Sequence, residues 1–412
     1  MISIFRQFYF FMNKLRICLD LLKVLLILWV YNKINIRNNL GGIFIMNLVK
    51  KVLIVTASTG QGHNSVADSL KKELEKQSYE VKCIEPIKET GEVLDKLVSG
   101  GYEILATKVP SLFGMLYKAS NHKLTSNSIG GILGKSIKDS TYEIIKEYKP
   151  NIIISTHPLL VKVIANLKKE NKINIPFISI VTDYKAHSTY VDKSVDAYIV
   201  GSEYTKESLI EKGIDKGRIY SYGIPVKRDF MNFTNSISRE EEFTILLMGG
   251  SMGLKSMKKA LFELMNLDIP LKIITVCGNN EILKRELEEN YKTVPISKEL
   301  IILGFTTNVS QLMDRASLII TKPGGLTVTE ALVKRLPIII PYYIPGQEEE
   351  NVRFLVNEKA AIYAEGDNLN NIIKRLFNDP KELKNMVNNI DKIVKEISLD
   401  NTLNLVTSII AS

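Results

Sequence analysis

Val52-Leu53-Ile54-Val55-Thr56-Ala57-Ser58-Thr59-Gly60-Gln61-Gly62-His63-Asn64-Ser65 settles the architecture of this chain. Val52 to Val55 reads as a short strand, apolar throughout. A glycine-bearing loop follows, then a helix that carries Val66, Leu70 and Leu74 on one face, with Asn64 or Ser65 as its expected cap. A strand without polar alternation is covered on both faces, which is the condition of a parallel sheet between two layers of helices.

The same unit recurs on both sides of a break. Glu80 to Ile84, Ile152 to Ser155, Phe177 to Val181, Ala197 to Val200 and Ile219 to Tyr222 read as further strands, with helical stretches such as Leu159 to Lys169 between them. Periodicity stops between Ile224 and Glu242, where Pro225, Asn232, Asn235 and a cluster of glutamates mark a linker. A second series then predicts strands at Thr244 to Met248, Lys272 to Val276, Leu300 to Leu303, Leu318 to Thr321, Pro337 to Pro341 and Ala360 to Ala364. Helices are predicted at Asn280 to Glu289, Val328 to Lys334 and Leu369 to Phe377. The expectation is an α/β protein of two Rossmann-like, doubly wound parallel-sheet domains, 47–228 and 243–412, joined by a linker at 229–242, with the last helices crossing back. A length of 412 residues suits two such cores.

Composition narrows the class. The chain is 45% hydrophobic and 24% charged, as folded proteins are, and its formal net charge is +9. More than half of that excess precedes Met46, leaving a body too weakly basic to argue for nucleic acid but suited to an anionic membrane surface. The opening segment 1–46 is apolar and basic. Arg16, Asp20 and Lys23 interrupt it, so it is marginal as a spanning helix, and a start at Met46 is the preferred reading ahead of an interfacial basic helix. Cys18, Cys83 and Cys277 have no Cys-x-x-Cys spacing, which offers neither a disulfide framework nor a zinc site and fits a reducing cytoplasm.

Ligands of open parallel sheets bind at the carboxyl ends of strands, so four strand-to-helix loops carry the chemistry. In the first, Gly60 and Gly62 admit a ligand to the backbone, and His63 is either a neutral base at a helix start or a cap of its own helix. The second, Thr182-Asp183-Tyr184-Lys185-Ala186-His187, offers Asp183 and His187 to orient a base or hold an acceptor hydroxyl, although an aspartate there also caps turns. The third, Gly249-Gly250-Ser251-Met252-Gly253, has the composition of a phosphate cradle. In the fourth, Lys322, Gly324 and Gly325 can meet a diphosphate and Glu330 a ribose, but Thr327 and Glu330 also have the spacing of a capping box. Gln347 and Glu348 open the next helix, where acids also complement the dipole. No Asp-x-Asp pair occurs, so neither a metal nor any other cofactor is expected.

These loops, with Tyr222-Gly223-Ile224-Pro225-Val226, Lys322-Pro323-Gly324-Gly325 and Pro345-Gly346-Gln347-Glu348, resemble the processive diacylglycerol glucosyltransferases and monogalactosyldiacylglycerol synthases from about Lys50 to Asn389. The resemblance implies a GT-B fold with an acceptor domain, a UDP-sugar domain and a cleft between them. It implies an inverting hexosyl transfer to diacylglycerol at the cytoplasmic face of the membrane. His63 would be the base and Asp183 its assistant. Gly249, Gly250 and Ser251 would face the diphosphate, together with Lys322, Gly324, Gly325 and Thr327, while Glu330 would face the ribose and Gln347 and Glu348 the sugar. Gly60, Gly62 and His187 would lie toward the acceptor. Leu112 and Phe113, in the stretch Val109 to Tyr117 beside Lys108, Lys118 and Lys123, would face lipid, although core packing explains them equally. Tyr190 departs from the tryptophan usual near that place, and the basic opening segment is not a family feature. A peptidoglycan-precursor N-acetylglucosaminyltransferase and a UDP-sugar 2-epimerase are the competing enzymes, and a UDP-sugar sensor the non-catalytic alternative. Nothing in the sequence specifies an oligomeric state.

Overall fold

The computed structural model describes residues 49–58, 61–89, 110–120, 132–232, 242–249, 254–365 and 369–412. The expectations for the opening segment 1–46 lie outside them.

The first domain runs β1 (Lys51–Val55), α1 (Gln61–Lys76), β2 (Glu80–Ile84), α2 (Pro86–Glu89), α3 (Pro110–Ser120), α4 (Ile132–Tyr148), β3 (Ile152–Ser155), α5 (Pro158–Lys169), β4 (Phe177–Ile180), β5 (Ala197–Ile199), α6 (Glu203–Glu211), β6 (Ile219–Tyr220) and α7 (Arg228–Met231). The second runs β7 (Thr244–Met248), α8 (Leu254–Met265), β8 (Leu271–Val276), α9 (Glu281–Asn290), β9 (Lys298–Leu303), α10 (Val309–Arg315), β10 (Leu318–Thr321), α11 (Gly325–Val333), β11 (Ile338–Ile340), α12 (Glu349–Asn357), β12 (Ala361–Tyr363), α13 (Leu369–Asn378), α14 (Pro380–Val394) and α15 (Leu399–Ala411). Both sheets are parallel and six-stranded, in the orders β2-β1-β3-β4-β5-β6 and β12-β11-β10-β7-β8-β9. The doubly wound reading is therefore correct. Val52 pairs with Val81 on one side and Ile152 on the other, and Leu318 pairs with Ile245, so the central strands are apolar because helices cover both faces.

Each sheet reverses its winding once, between β1 and β3 in the first and between β7 and β10 in the second. A crevice opens at such a reversal because the helices on either side leave in opposite directions. The loops after β1, β3, β7 and β10 sit at these two places, and they include the glycine-bearing segments singled out above.

Within the described start of the segment read as linker, α7 is a helical turn whose Asp229 carbonyl accepts a bond from Ser310 Oγ at 2.9 Å. Beyond the second sheet the chain returns to the first domain. Ser398 N donates to the Tyr222 carbonyl at 2.8 Å, Tyr79 Oη donates to Thr407 Oγ1 at 3.1 Å, and Arg228 bridges Glu73 at 2.9 Å and Asp400 at 2.7 Å. Leu399, Leu403 and Val406 are buried in the cluster that also holds Val52 and Ile154, so α15 covers one face of the first sheet.

Candidate active site

Helix α1 starts at Gln61, earlier than the expected cap at Asn64 or Ser65. Asn64 instead accepts from Thr56 Oγ1 at 2.9 Å and donates to Ser58 Oγ at 2.8 Å, tying the first turn to the exit of β1. His63 is thus inside the first turn and is not a cap. Its Nδ1 lies 2.8 Å from the Thr156 carbonyl oxygen, at the exit of β3, so the imidazole spans the reversal of the first sheet. A carbonyl only accepts, so Nδ1 carries the proton. Burial lowers the pKa of His63 to about 4, opposed by that hydrogen bond, and near neutrality the ring holds a single proton. Nε2 is left with its lone pair. The His157 ring meets His63 edge-on at 4.5 Å, and its own Nδ1 accepts from Leu159 N at 3.2 Å to cap α5.

The loop after β4 closes on this imidazole. Thr182 Oγ1 lies 3.0 Å from His63 Nδ1 and 3.0 Å from Tyr190 Oη. Asp183 is buried, and desolvation raises its carboxyl to about 7; a bond from Asn351 and the charge of Lys322 oppose the shift, while Glu348 adds to it. Asp183 is thus held by the other domain and does not merely cap a turn. Tyr184 crosses the cleft, its N donating to Asn351 Oδ1 at 2.8 Å, its hydroxyl 2.8 Å from Thr329 Oγ1 and its ring stacked on Phe354 at 4.4 Å. Such a stack adds about 1 kcal/mol beyond burial.

His187 does different work. Its Nδ1 accepts from Thr189 N at 3.3 Å, and its Nε2 donates to the Tyr117 carbonyl at 3.2 Å, which fastens α3 to the first domain. Burial lowers its pKa, opposed by the Tyr117 carbonyl.

In the second domain, α11 begins at Gly325, ahead of the expected Val328, and its cap residue Gly324 makes no side-chain bond. The Thr327–Glu330 capping box is therefore not formed: Thr327 lies within the first turn. The early start is possible because position 325 lacks a side chain. A Cβ there would stand 1.9 Å from the Thr182 carbonyl oxygen, so only glycine lets the helix approach the first domain this closely. A Cβ at Gly62 would lie 3.7 Å from that of Leu326, and the start of α1 therefore borders the start of α11. Lys322 pairs with Glu348, whose second oxygen accepts from Ile344 N at 3.0 Å. Glu348 is thus the counter-ion of Lys322 and makes no cap bond to α12. Glu330 is partly exposed and its carboxylate makes no ion pair among the described residues, and desolvation pushes its carboxyl up to about 8 against the charge of Lys227. The Gly249 carbonyl accepts from Tyr342 Oη at 2.9 Å. Gln347 is half-buried at the foot of α12.

The structure therefore gathers His63, Asp183, Lys322, Gly324, Gly325 and Glu348 around one interdomain junction, and sets His187 behind α3. Gly60, Gly250 and Ser251 lie outside the described residues, as does the side chain of Phe113. Leu112 and Met115 are exposed on α3, Lys118 of the same helix reaches Glu349 at 2.8 Å, and a Cβ on Gly114 would lie 2.9 Å from that of Pro345. Read from the sequence alone, Thr182, Tyr184 and Asn351 carry no role of their own, and Tyr190 is marked only for standing where tryptophan is usual. Among the described residues no helix is long and apolar enough to cross a membrane.

Residues 63–226 match the family model for monogalactosyldiacylglycerol (MGDG) synthase, and residues 244–399 match that for the glycosyltransferase family 28 C-terminal domain. A processive diacylglycerol beta-glucosyltransferase of Bacillus licheniformis is 29% identical over 357 residues, covering 84% of this chain and 92% of that protein. Among solved structures, MurG of Acinetobacter baumannii superposes with a TM-score of 0.61 at 17% identity, over 88% of this chain and 100% of that one. Anabaena HepE in complex with UDP-glucose does so with a TM-score of 0.52 at 13% identity, over 88% and 99%. The last two likenesses show the GT-B type fold alone.

Proposed function

We propose that this chain, which belongs to the family of processive diacylglycerol β-glucosyltransferases and monogalactosyldiacylglycerol synthases, transfers a hexose from a UDP-sugar to diacylglycerol or a glycosyl-diacylglycerol. The observation that carries the reading is the placement of His63. Its Nδ1 proton is committed to the Thr156 carbonyl, and its neighbour Thr182 touches the start of the donor-domain helix α11.

The acceptor hydroxyl gives its proton to Nε2 of His63 while its oxygen attacks the anomeric carbon. The bond from that carbon to the diphosphate oxygen breaks, UDP leaves, and the anomeric centre inverts to a β-glycoside. Charge gathering on the departing diphosphate is met by the free N–H groups at the start of α11 and by Lys322, with no metal required. Glu348 holds Lys322 in place at the cost of part of its charge. Asp183, whose carboxyl burial pushes up to about 7, follows Thr182 in the chain and feels the charges of Glu348 and Lys322, and there it can orient the acceptor by donating or accepting a hydrogen bond.

The acceptor is a membrane lipid, and the exposed Leu112 and Met115 on α3 beside Lys118 suit contact with an anionic bilayer at its cytoplasmic face. The test supplies radiolabelled UDP-glucose or UDP-galactose with diacylglycerol vesicles and follows the label into the organic phase. An epimerase or a sensor would leave the label in water, which would end this reading.

A further inference from the structure

We propose that Thr182 is a positioning residue for the base His63, held in its working rotamer by Tyr190; the proposal rests on the transfer described above.

Three contacts meet at this one threonine. Its hydroxyl is 3.0 Å from His63 Nδ1, the same hydroxyl is 3.0 Å from Tyr190 Oη, and its main-chain carbonyl faces the Cα of Gly325 so closely that a Cβ there would stand at 1.9 Å. Nδ1 has one proton, directed at the Thr156 carbonyl at 2.8 Å. Thr182 Oγ1 therefore receives the second branch of a shared bond, and its bond to Tyr190 Oη, in which either hydroxyl can be the donor, holds it in place. All four groups are buried.

This arrangement matters when His63 takes the acceptor's proton. The imidazolium then places positive charge on its Nδ1–H, and bonds to charged donors are about twice as strong as neutral ones. Among the described residues no carboxylate pairs with His63; its hydrogen-bond partners are the Thr156 carbonyl and the Thr182 hydroxyl. His157, edge-on at 4.5 Å, is a neutral neighbour because burial holds its pKa well below the usual value. The hydroxyl is thus one of two dipoles that oppose the new charge, and Tyr190 keeps it turned toward the ring. Through its carbonyl the same residue fixes how near the donor helix stands to the base.

The experiment measures glucolipid formation from UDP-glucose and diacylglycerol vesicles by the wild type and by Thr182→Val, Thr182→Ser, Tyr190→Phe and the Thr182→Val/Tyr190→Phe double variant. UDP calorimetry and thermal midpoints are recorded alongside. Thr182→Val keeps the shape and removes the hydroxyl, and it should lower kcat by about tenfold to a hundredfold with the KM for UDP-glucose within about threefold. Thr182→Ser should restore kcat to within about threefold of wild type, and the double variant should be no slower than Thr182→Val, because both changes cut one relay. A Thr182→Val kcat within about twofold of wild type, equal damage by Val and Ser, or multiplicative losses in the double variant would overturn the proposal. Should Thr182→Val not fold, Tyr190→Phe and Thr182→Ser decide it: a loss with Phe and none with Ser supports the relay, and any other pattern rejects it. Absence of lipid product from the wild type instead overturns the transfer reading itself.

Discussion

Replacing His63 by alanine deletes the lone pair at Nε2 but leaves the start of α11 untouched. UDP affinity should stay within about threefold by calorimetry while turnover falls by at least about a hundredfold. Glu330, pushed up to about 8, is largely neutral at pH 7. On the ribose role that the resemblance implies for Glu330, Glu330→Gln should bind UDP within about threefold of wild type, whereas Glu330→Ala should weaken it by about tenfold or more. Asp183 gives a pH signature. Its folded carboxyl sits near 7 against an ordinary 3.8, so the folded state holds its proton more firmly, and stability falls as pH rises between these values and is level above. Asp183→Asn should be more stable than wild type at pH 8, by a few kcal/mol at most, and the gap in thermal melts should narrow steadily below pH 7 and close only as pH approaches 3.8. His63 and Asp183 could be picked out of the sequence because titratable residues after a strand advertise themselves. Thr182 could not, because a hydroxyl closing an apolar run looks like any β-branched strand residue until folding sets it against an imidazole 119 positions away.

Elements were more legible than contacts, and their ends less so. Ile152–Ser155, Thr244–Met248 and Leu318–Thr321 coincide with their predicted strands because runs buried on both faces are apolar but for a small hydroxyl residue at one end. Val181 and Val200 fall outside the strands predicted to hold them, although Val181 N still reaches the Ile199 carbonyl at 2.9 Å and Val200 N the Tyr220 carbonyl at 3.0 Å. The starts of α1 and α11 fall earlier than capping rules predict: those rules look for a capping side chain, whereas Gly325 lets α11 begin early against the first domain and Asn64 ties the first turn of α1 to the exit of β1. Helix α3 makes its own prediction. Its buried glycine, Gly114, lies against Pro345, and Lys118 grips Glu349, so one helix with exposed Leu112 and Met115 also touches the donor loop. Leu112→Asp with Met115→Asp should abolish sedimentation with anionic vesicles and leave UDP binding within about twofold; retained sedimentation of the folded variant would return α3 to a purely structural role.

At the level of the whole molecule, the two domains are joined by buried polar bonds as well as by the chain. Asn351 is buried completely and serves Tyr184 N at 2.8 Å and the Pro323 carbonyl at 2.9 Å, one group from each side of the cleft. Asn351→Ala leaves both unsatisfied, and we expect a loss of about 1–3 kcal/mol in stability together with a larger radius of gyration in solution scattering. Neither partner was visible in the sequence, since 167 residues separate Tyr184 from Asn351 and no local pattern links them. The return of α15 to cover the first sheet has a bearing on recombination. A chimera that borrows another enzyme's sugar-recognition half by a single splice near residue 242 would also replace the lid over its own acceptor half. Exchange between relatives therefore needs two junctions, the second just before Ser398, where the polypeptide re-enters the domain it began in.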